Sequence, residues 1–296
     1  AEVLENIFPT PEGARLRRGS VKHATIGAAV THLEAYETGA ANKFFAFDAT
    51  TISDITSPAS ATVAPTPAIQ QLTGGEWSTA AMATSAGEIL LGVNGADLLH
   101  CFDGTNWFPI NGNATSGLAY DAGSADFAVG ETVTGGDSTA TATIVGILNG
   151  TTAAGTLLVQ SISGGPFQDN EALTDGATGS ATANIPSGVT AINAVTISGL
   201  TTSDASHVWV HKNFVWLIEK DTLNAYYLPV GAIGGTATAF PLRGVFKRGG
   251  NLVFGATWSA DSGDGRDDYI LFFSDQGEVA LYSGTNPASN FALEGV

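Results

Sequence analysis

Short apolar runs separated by turn-forming residues make up most of the chain. The first set consists of EILLGVN (88–94), DLLHCFD (97–103) and TNWFPI (105–110). The turn pairs beside these runs are Asn94-Gly95, Asp103-Gly104 and Asn111-Gly112. Such pairs tolerate positive φ and favour tight turns between antiparallel strands. No window of about 12 residues has helical apolar spacing without a Gly, Pro or β-branched interruption, so we expect almost no helix.

Two further sets repeat the pattern in the last third of the chain. Within SHVWVHKNFVWLIEKDTLNAYYLPV (206–230), two apolar segments flank Lys212-Asn213, which predicts a two-residue turn. The last set is NLVFGATW (251–258), YILFFS (269–274) and EVALYSG (278–284). Short strands at this spacing indicate an all-β sandwich, barrel or propeller. Because the strands come in sets of three or four with aromatic-rich ends, we predict an all-β, β-propeller-like fold.

One segment near the start has a different composition. The stretch SPASATVAPTPAI (57–69) is rich in Pro, Ala, Ser and Thr. Such a composition is typical of an extended connection. We therefore predict an extended connection over the surface.

Between Ser116 and about Ser187 the composition changes again, and an internal repeat appears. Trp and Tyr nearly vanish, and Gly, Ala, Thr and Ser dominate. The stretch FAVGETVTGGDSTATATI (127–144) aligns with FQDNEALTDGATGSATANI (167–185) at an offset of 40 residues, with one extra residue late in the second copy. The matched pairs are Phe127 and Phe167, Glu131 and Glu171, Thr134 and Thr174, and Gly136 and Gly176.

This repeat predicts how the chain is divided. Two copies of a small β unit can pair their apolar edges, whereas one copy alone buries too little surface. We therefore predict that 117–187 is an inserted β module of two repeats. The residues on either side, 1–116 and 188–296, then form one discontinuous β-propeller-like domain. The alternative is that 117–187 is a low-complexity loop.

The charge is strongly negative and unevenly placed. The chain has 28 acidic and 11 basic residues, a net charge of −17, and 44% hydrophobic residues, enough for a substantial core. No Lys or Arg lies between Lys43 and Lys212, a stretch that carries 14 acids. A protein that grips phosphates needs clustered bases, so sequence-specific nucleic-acid binding is not expected. An acidic surface suits either a wall that DNA slides past or ordinary solubility.

Several classes of protein are disfavoured. The single Cys101 excludes an internal disulfide framework and a multi-cysteine metal site. No apolar run approaches the roughly 18 residues of a membrane span. The opening AEVLENIF is acidic and lacks the basic start of a signal peptide.

Catalytic motifs are missing from the sequence, which contains no G-x-S-x-G, H-E-x-x-H or G-x-x-x-x-G-K-[ST]. His207 and His211 share one face of a predicted strand, but a metal site needs a third ligand, and none is visible nearby. We therefore interpret both as structural histidines. Cys101, in an apolar strand, is interpreted as a small buried hydrophobe rather than a nucleophile. We accordingly predict a protein that is not an enzyme and has no cofactor.

The stretch DSGDGRDD (261–268) is the one polar cluster with the composition of a cation site. Carboxylates on a glycine-rich loop are what Ca²⁺ requires. The four acids are Asp261, Asp264, Asp267 and Asp268. Their spacing is not that of an EF-hand, and a long polar turn explains the same residues. A structural cation here stays the weaker alternative.

Two basic spots and three tryptophans are candidates for subunit contacts. The basic candidates, in RLRRG (15–19) and FKRGG (246–250), are Arg15, Arg17, Arg18, Lys247 and Arg248. Either spot suits contact with a phosphate or with an acidic partner surface. On an acidic protein such residues more often pair with acids of the same chain or of a neighbouring subunit. The tryptophans are Trp209, Trp216 and Trp258, which serve either as interface anchors or as core.

Several stretches resemble a family of β-propeller tail proteins from tailed phages and prophages, chiefly of alphaproteobacteria. The longest is YYLPVGAIGG…FPLRGVFKRGGNLVFGATWSADSGDGRDDYILFFSDQGEVALYSGTNPAS…FALEGV (226–296). The others are ENIFPTPEGARLRRGSVKHATIG (5–27), FFAFDATTISDIT (44–56) and TGGEWSTAAMATSAGEILLGVNGADLLHCFDGTNW (73–107). Inserts of the FAVGETVTGG type look like a module that is widespread in phage structural proteins.

The resemblance implies a structural virion protein similar to the nozzle, or tail tubular B component, of short-tailed phages. Family nozzles are hexameric rings below the portal and adaptor rings, and they line the final DNA channel. The implied partners are identical subunits, adaptor or portal-side proteins, tail fibres and passing double-stranded DNA, and the implied location is the phage tail. The family is not catalytic, so no active-site residues are carried over.

Two other functions stay open on the sequence alone. A tail fibre or receptor-binding module would recognise host glycans, with Trp77 and Trp107 near glycine-rich turns stacking on sugars. A glycan hydrolase would need paired carboxylates roughly 5–10 Å apart. The acids are numerous enough to allow such a pair, although they fall mostly in turns.

Overall fold

Nearly all regular structure in this computed structural model is β-strand. The structure describes residues 7–10, 13–16, 22–38, 41–57, 64–74, 76–261 and 266–296. Within these ranges the one helical element is a 3-10 turn at Thr202–Asp204. No helix of the described part is long and apolar enough to cross a membrane. The prediction of an all-β, β-propeller-like fold is confirmed.

The chain begins with a hairpin and two four-stranded antiparallel meanders of the kind that form propeller blades. The hairpin is β1 (Ile7–Thr10) and β2 (Gly13–Leu16). Blade 1 is β3 (His32–Thr38), β4 (Ala41–Phe47), β5 (Thr51–Asp54) and β6 (Pro67–Gln70). Blade 2 is β7 (Ser78–Thr84), β8 (Gly87–Val93), β9 (Leu99–Phe102) and β10 (Trp107–Ile110).

The predicted surface connection at 57–69 is wrong at its end. Residues 58–63 lie outside the described part, but Pro67 is the first residue of β6 and Ile69 is fully buried. Proline is compatible with this position because a first strand residue need not donate to the ladder. The Pro- and Ser-rich composition therefore concealed the fourth strand of blade 1.

Six strands between blade 2 and blade 3 close into a barrel. They are β11 (Thr115–Ala125), β12 (Thr132–Gly135), β13 (Thr141–Leu148), β14 (Gly155–Ser163), β15 (Ala172–Thr174) and β16 (Ser180–Ala183). Their spatial order is β12-β15-β16-β11-β14-β13, and the pairing of β12 with β13 closes the circle. The barrel has its own core, which includes Phe127 and Phe167 of the two repeats.

The strand register shows that the barrel has an approximate two-fold axis. Thr134 pairs with Thr174, its own counterpart at the offset of 40. Between β11 and β14, Gly117 pairs with Leu158 and Leu118 with Leu157. At the offset of 40, Gly117 corresponds to Leu157 and Leu118 to Leu158. Each of these two pairs is therefore the symmetry equivalent of the other. The repeat therefore comprises three strands per copy, β11–β13 and β14–β16, one more than the sequence alignment detected.

The sequence alignment places the length difference between the copies on the wrong side. Six residues separate Thr134 from its partner Thr141, whereas five separate Thr174 from its partner Ser180. The second copy thus has a shorter turn rather than an extra residue. The repeated Ala and Thr residues allowed the sequences to be aligned out of register.

After the barrel come short linking strands and two more blades. The links are β17 (Thr190–Asn193), which pairs with β11, and β18 (Ile197–Ser198). Blade 3 is β19 (Ala205–His211), β20 (Phe214–Glu219), β21 (Asn224–Tyr227) and, after β22 (Gly235–Thr236), β23 (Thr238–Pro241). The short β22 pairs in parallel with β18. Blade 4 is β24 (Leu252–Asp261), β25 (Arg266–Ser274), β26 (Val279–Ser283) and β27 (Ala292–Gly295).

The blades pack face to face in chain order. One core joins blades 1, 2 and 3, and a second, aromatic-rich core joins blades 3 and 4. The first strands β7, β19 and β24 contact one another in series. The barrel is not a free appendage, because β13 pairs with β6 and because Leu148 and Leu158 lie in the core that joins blades 1 to 3.

Candidate functional site

Polar side chains connect the first strands of neighbouring blades. Between blades 1 and 2, the Nε2 atom of His32 lies 3.1 Å from the hydroxyl of Thr79, which donates to Glu34. Between blades 2 and 3, the amide of Val208 donates to the Ser78 hydroxyl at 3.2 Å. These contacts could not be predicted from the sequence, because each joins residues more than 40 positions apart.

His207 connects three blades at once. Its Nε2 donates to the carbonyl of Gly255 in β24 at 2.9 Å, so its Nδ1 accepts from Ser78 in β7 at 2.8 Å. Burial lowers the pKa of His207, although the Gly255 carbonyl opposes that shift. The neutral ring thus uses one nitrogen as a donor and the other as an acceptor in contacts with neighbouring blades. No lone pair is left to bind a metal.

The other two buried histidines are also structural. Nδ1 of His211 lies 2.9 Å from the Thr257 hydroxyl, and burial together with Lys212 lowers its pKa to about 4. Nδ1 of His100 contacts the carbonyl of Leu98 at 2.6 Å, and burial lowers its pKa to about 4. No group of three His, Cys, Asp or Glu side chains in the described ranges is placed to hold a metal ion.

Cys101 is fully buried in β9, as predicted for a small hydrophobic residue. Burial, with a smaller contribution from Asp103, raises the pKa of its thiol well above the ordinary value. A thiol held protonated is a poor nucleophile. The side chain therefore contributes packing.

The Asp-rich stretch includes the end of β24 and the start of β25. Asp261 pairs with Arg266 at the end of the hairpin, and Asp267 follows in β25. Asp264 lies outside the described residues, as do the side-chain positions of Asp261 and Asp267. Asp268 accepts a hydrogen bond from Ser259. A structural cation at these residues stays the weaker alternative.

One of the two basic spots can be described. The backbone N–H groups of Lys247 and Arg248 donate to the Glu278 carboxylate at 3.1 and 2.8 Å. This acid orders the turn and leaves both basic side chains exposed. In the other spot, Arg15 lies in β2 without a described side chain, and Arg17 and Arg18 fall outside the described residues.

The tryptophans fall into two groups. Trp77 and Trp107 are buried in the core of blades 1 to 3, so the prediction that they stack on sugars is wrong. Trp209 and Trp216 stack on each other in the core between blades 3 and 4. Trp258 alone among the five is 52% exposed. A nearby glycine turn does not reveal burial, because the covering residues come from other blades.

The barrel carries negative charge alone. Its seven acids are Asp121, Asp126, Glu131, Asp137, Asp169, Glu171 and Asp175, and 115–185 contains no Lys or Arg. Six of these side chains reach the surface, and Glu171 is buried. The barrel surface therefore presents carboxylates that no basic residue of the barrel neutralises.

Glu171 organises the turn of the opposite repeat. Its carboxylate accepts from the N–H groups of Ser138 and Gln168 at 2.9 and 2.7 Å, and from the Ser138 hydroxyl at 2.9 Å. Burial acts to raise the pKa of Glu171, but these hydrogen bonds outweigh it and the net pKa is below the ordinary value. The internal repeat identified Glu171 as the counterpart of Glu131, but it did not predict these hydrogen bonds.

Two hollows in the described part of the chain lie next to blade 2. A largely apolar hollow of about 420 Å³ lies beside blade 2, lined by Ile89, Phe108 and Ile233 among others, with Asp103 as its one charged residue. Glycoside hydrolysis normally needs two carboxylates. A second hollow of about 300 Å³ lies between the barrel and blades 1 and 2 and includes Asp97 and His100.

Gln71 closes one side of this second hollow. It has a left-handed backbone (φ 60°), and its side chain donates to the Phe127 carbonyl at 2.6 Å and accepts from the Val129 amide at 2.8 Å.

Comparison of the chain with protein-family models, with curated proteins and with solved structures gave no match.

Proposed function

We propose that this chain is a structural virion protein, a subunit of a phage tail nozzle that assembles in a ring and conducts DNA during ejection. The observation that carries the proposal is the acidic barrel, with seven carboxylates and no base. The base-free stretch extends beyond the barrel to all of blade 2, since no Lys or Arg lies between Lys43 and Lys212. The resemblance to nozzle proteins agrees with this assignment.

The physical role of such a surface is to avoid adhesion. Duplex DNA carries one negative charge per roughly 1.7 Å of axis, and binding proteins neutralise it with Lys and Arg. A surface of exposed carboxylates repels DNA over about a Debye length, roughly 8 Å at physiological salt. A channel wall of this kind lets DNA pass without being retained.

The chemistry of the buried groups supports a role in shape rather than catalysis. His100 and His211 are buried, His207 is half-buried, and all three are used in contacts between or within blades, while the Cys101 thiol is held protonated. On this proposal the protein needs no cofactor. Its partners are identical subunits in a hexamer, adaptor or portal-side proteins, and tail fibres.

The test is the position of the protein in phage particles. Particles whose copy of this chain lacks 117–187 are compared with unaltered particles by electron cryomicroscopy. We expect the difference density to surround the tail axis in a ring. Difference density at the tips of peripheral fibres would refute the nozzle assignment and favour the fibre alternative, which a glycan array then tests.

The role of the charge is tested separately. Replacing the barrel acids Asp121, which is half-buried, and Glu131, Asp137 and Asp169, which are exposed, by Lys changes the barrel from −7 to +1 without touching buried Glu171. We expect salt-dependent retention of duplex DNA by this variant and none by the unaltered protein. The matched control replaces the same four residues by Asn or Gln, which removes charge without adding bases. Binding of DNA by the unaltered protein would contradict the proposed channel surface.

A further inference from the structure

Blade 4 has one apolar face that the other described blades leave mostly open, although Phe254 at its edge contacts the His207 ring of blade 3. Ile270 and Phe272 on its near face are buried against blade 3. On the opposite face, here called the far face of blade 4, the side chains are Phe254, Trp258, Tyr269, Leu271, Phe273 and Leu281. Phe254 and Trp258 are 40% and 52% exposed.

The far face is ordered by aromatic pairs across β24 and β25. Phe254 stacks on Phe273 with ring centroids 4.0 Å apart, and Trp258 lies 6.0 Å from Tyr269. Such cross-strand pairs hold large rings in fixed positions. A contiguous set of exposed aromatic rings on a regular strand pair is typical of an interaction surface.

The opposite end of the blade series also exposes apolar side chains. On blade 1, the face that points away from blade 2 includes Leu33 on β3, which is 53% exposed. Nearby Val30 is 42% exposed. The β5 side of this face is already covered, because His23 hydrogen-bonds to the Ile55 carbonyl and packs against Phe44. The open part, here called the far face of blade 1, therefore lies along β3.

The two far faces fit the contact that repeats within the chain. Each blade uses its first strand to contact the first strand of the next, through Thr79 on β7, His207 on β19 and Gly255 on β24. The open surfaces at both ends include the first strands, β3 and β24. In the single chain they do not cover each other, since Leu33 and Trp258 both remain about half exposed.

We propose that the far face of blade 4 packs on the far face of blade 1 of a second copy of this chain. Contact between β24 of one copy and β3 of the next continues the series of blades from one subunit to its neighbour. Because the two faces differ, the contact is head to tail, and such contacts close into rings when the rotation permits. The inference deepens the proposed function, on which its biological meaning rests, by naming the surface that joins the subunits.

The test uses charge substitutions on each face and measures mass in solution. The variants are Trp258→Glu and Leu33→Glu, and the control is Val230→Glu, which alters a similarly exposed apolar residue in the connection between β21 and β22 of blade 3. We expect the unaltered chain and the control to assemble as concentration rises. Each face variant should assemble at least about 30-fold more weakly, as for loss of a central interface residue. Circular dichroism verifies that all variants are folded.

Mixing the two face variants separates a head-to-tail contact from a symmetric one. Trp258→Glu retains an intact blade 1 face and Leu33→Glu an intact blade 4 face, so their mixture should give a one-to-one dimer that does not grow. A dimer lost in Trp258→Glu but unaffected by Leu33→Glu would overturn the inference in favour of self-pairing of blade 4. A chain that stays monomeric at about 100 μM, some 100-fold above a micromolar Kd, overturns it also.

The outcomes for the surface and for the function are distinguishable. Assembly through these faces by a protein that is absent from the tail axis would leave the inference standing and refute the nozzle. Normal incorporation of Trp258→Glu into a ring on the tail axis would refute the inference about the surface and leave the nozzle assignment standing.

Discussion

The buried carboxylate of Glu171 makes a sharp test of how the two repeats hold each other. The change is Glu171→Gln, which keeps the shape but replaces one acceptor oxygen by an NH₂ group. The donors that now face the carboxylate include the amides of Ser138 and Gln168. At least one of them then faces another donor and is left unpaired in a buried position.

The magnitude follows from the hydrogen bonds. A bond to a charged group contributes about 1.5–3 kcal/mol and a neutral one about 0.5–1.5, while an unpaired buried donor costs about 1–3. We therefore expect Glu171→Gln to lower the free energy of unfolding by about 3 kcal/mol. For a chain of this size each kcal/mol shifts Tm by roughly 2–4 °C, so we expect a decrease of about 6–12 °C.

The matched control is Glu131→Gln, the same change at the equivalent position of the other repeat. Glu131 is exposed, and a surface substitution typically changes stability by less than about 0.5 kcal/mol. Thermal and urea unfolding at pH 7 measure both variants. Equal losses in the two variants would refute the assignment of a specific role to Glu171.

The same pair of variants has a pH signature. The pKa of Glu171 is lowered in the folded protein, so its contribution is complete above the ordinary value of 4.5 and is lost as pH falls through the native pKa. The stability gap between the unaltered protein and Glu171→Gln should therefore narrow on acidification below about pH 4.5. A gap that stays constant from neutral to acid pH would show that the charge of Glu171 contributes nothing.

Three further outcomes are expected. Deleting 117–187 removes two core leucines worth about 1.5–3 kcal/mol each, so the blades should stay folded but unfold at a Tm several degrees lower; an unchanged calorimetric transition would show the barrel to be independent. Gly255→Ala places a methyl group 2.3 Å from the Trp209 ring and should cost about 1–3 kcal/mol in urea unfolding, whereas Gly244→Ala, with nothing within 4 Å, should cost far less. His211 has a pKa of about 4, below its ordinary 6.5, so its contribution is complete above pH 6.5 and is lost as pH falls towards 4; His211→Gln should show a smaller loss over that interval.

Local sequence predicted the turns better than it predicted which strands meet. Lys212 and Asn213 form the two-residue turn between β19 and β20, with φ of 48° and 63°, as the sequence indicated. Asn111-Gly112, in contrast, leads from β10 towards the barrel rather than into a hairpin partner. A turn pair reports local φ preferences, whereas the partner of the next strand depends on distant residues.

Blade 1 was harder to detect for a physical reason. Its first strand carries His32 and Glu34 on the face towards blade 2, where they are matched by Thr79. The apolar alternation that marks a half-buried strand is therefore interrupted by polar groups that are satisfied only in the folded chain. For the same reason the polar contacts between blades could not be predicted.

The repeat could be detected in the sequence only at positions where the core or a turn restricts the choice of side chain. Phe127 and Phe167 occupy equivalent core positions, and the turns that follow them share Gly and Thr. The first strand of each copy, β11 or β14, shares register but little sequence with its counterpart, because its pattern of burial tolerates many small and aliphatic residues. Structure shows the equivalence through pairing rather than through identity.

The two-fold register of the barrel has a consequence for a half-length piece. One copy, such as 115–154, contains β11 and β12. In the barrel these two strands pair across the two-fold axis with their own counterparts in the other copy, β14 and β15. Alone it cannot close, since both edges lack their partners. Two identical copies, however, can exchange these edges reciprocally, so a single repeat has the information to assemble into a symmetric homodimer that reproduces the closed cylinder.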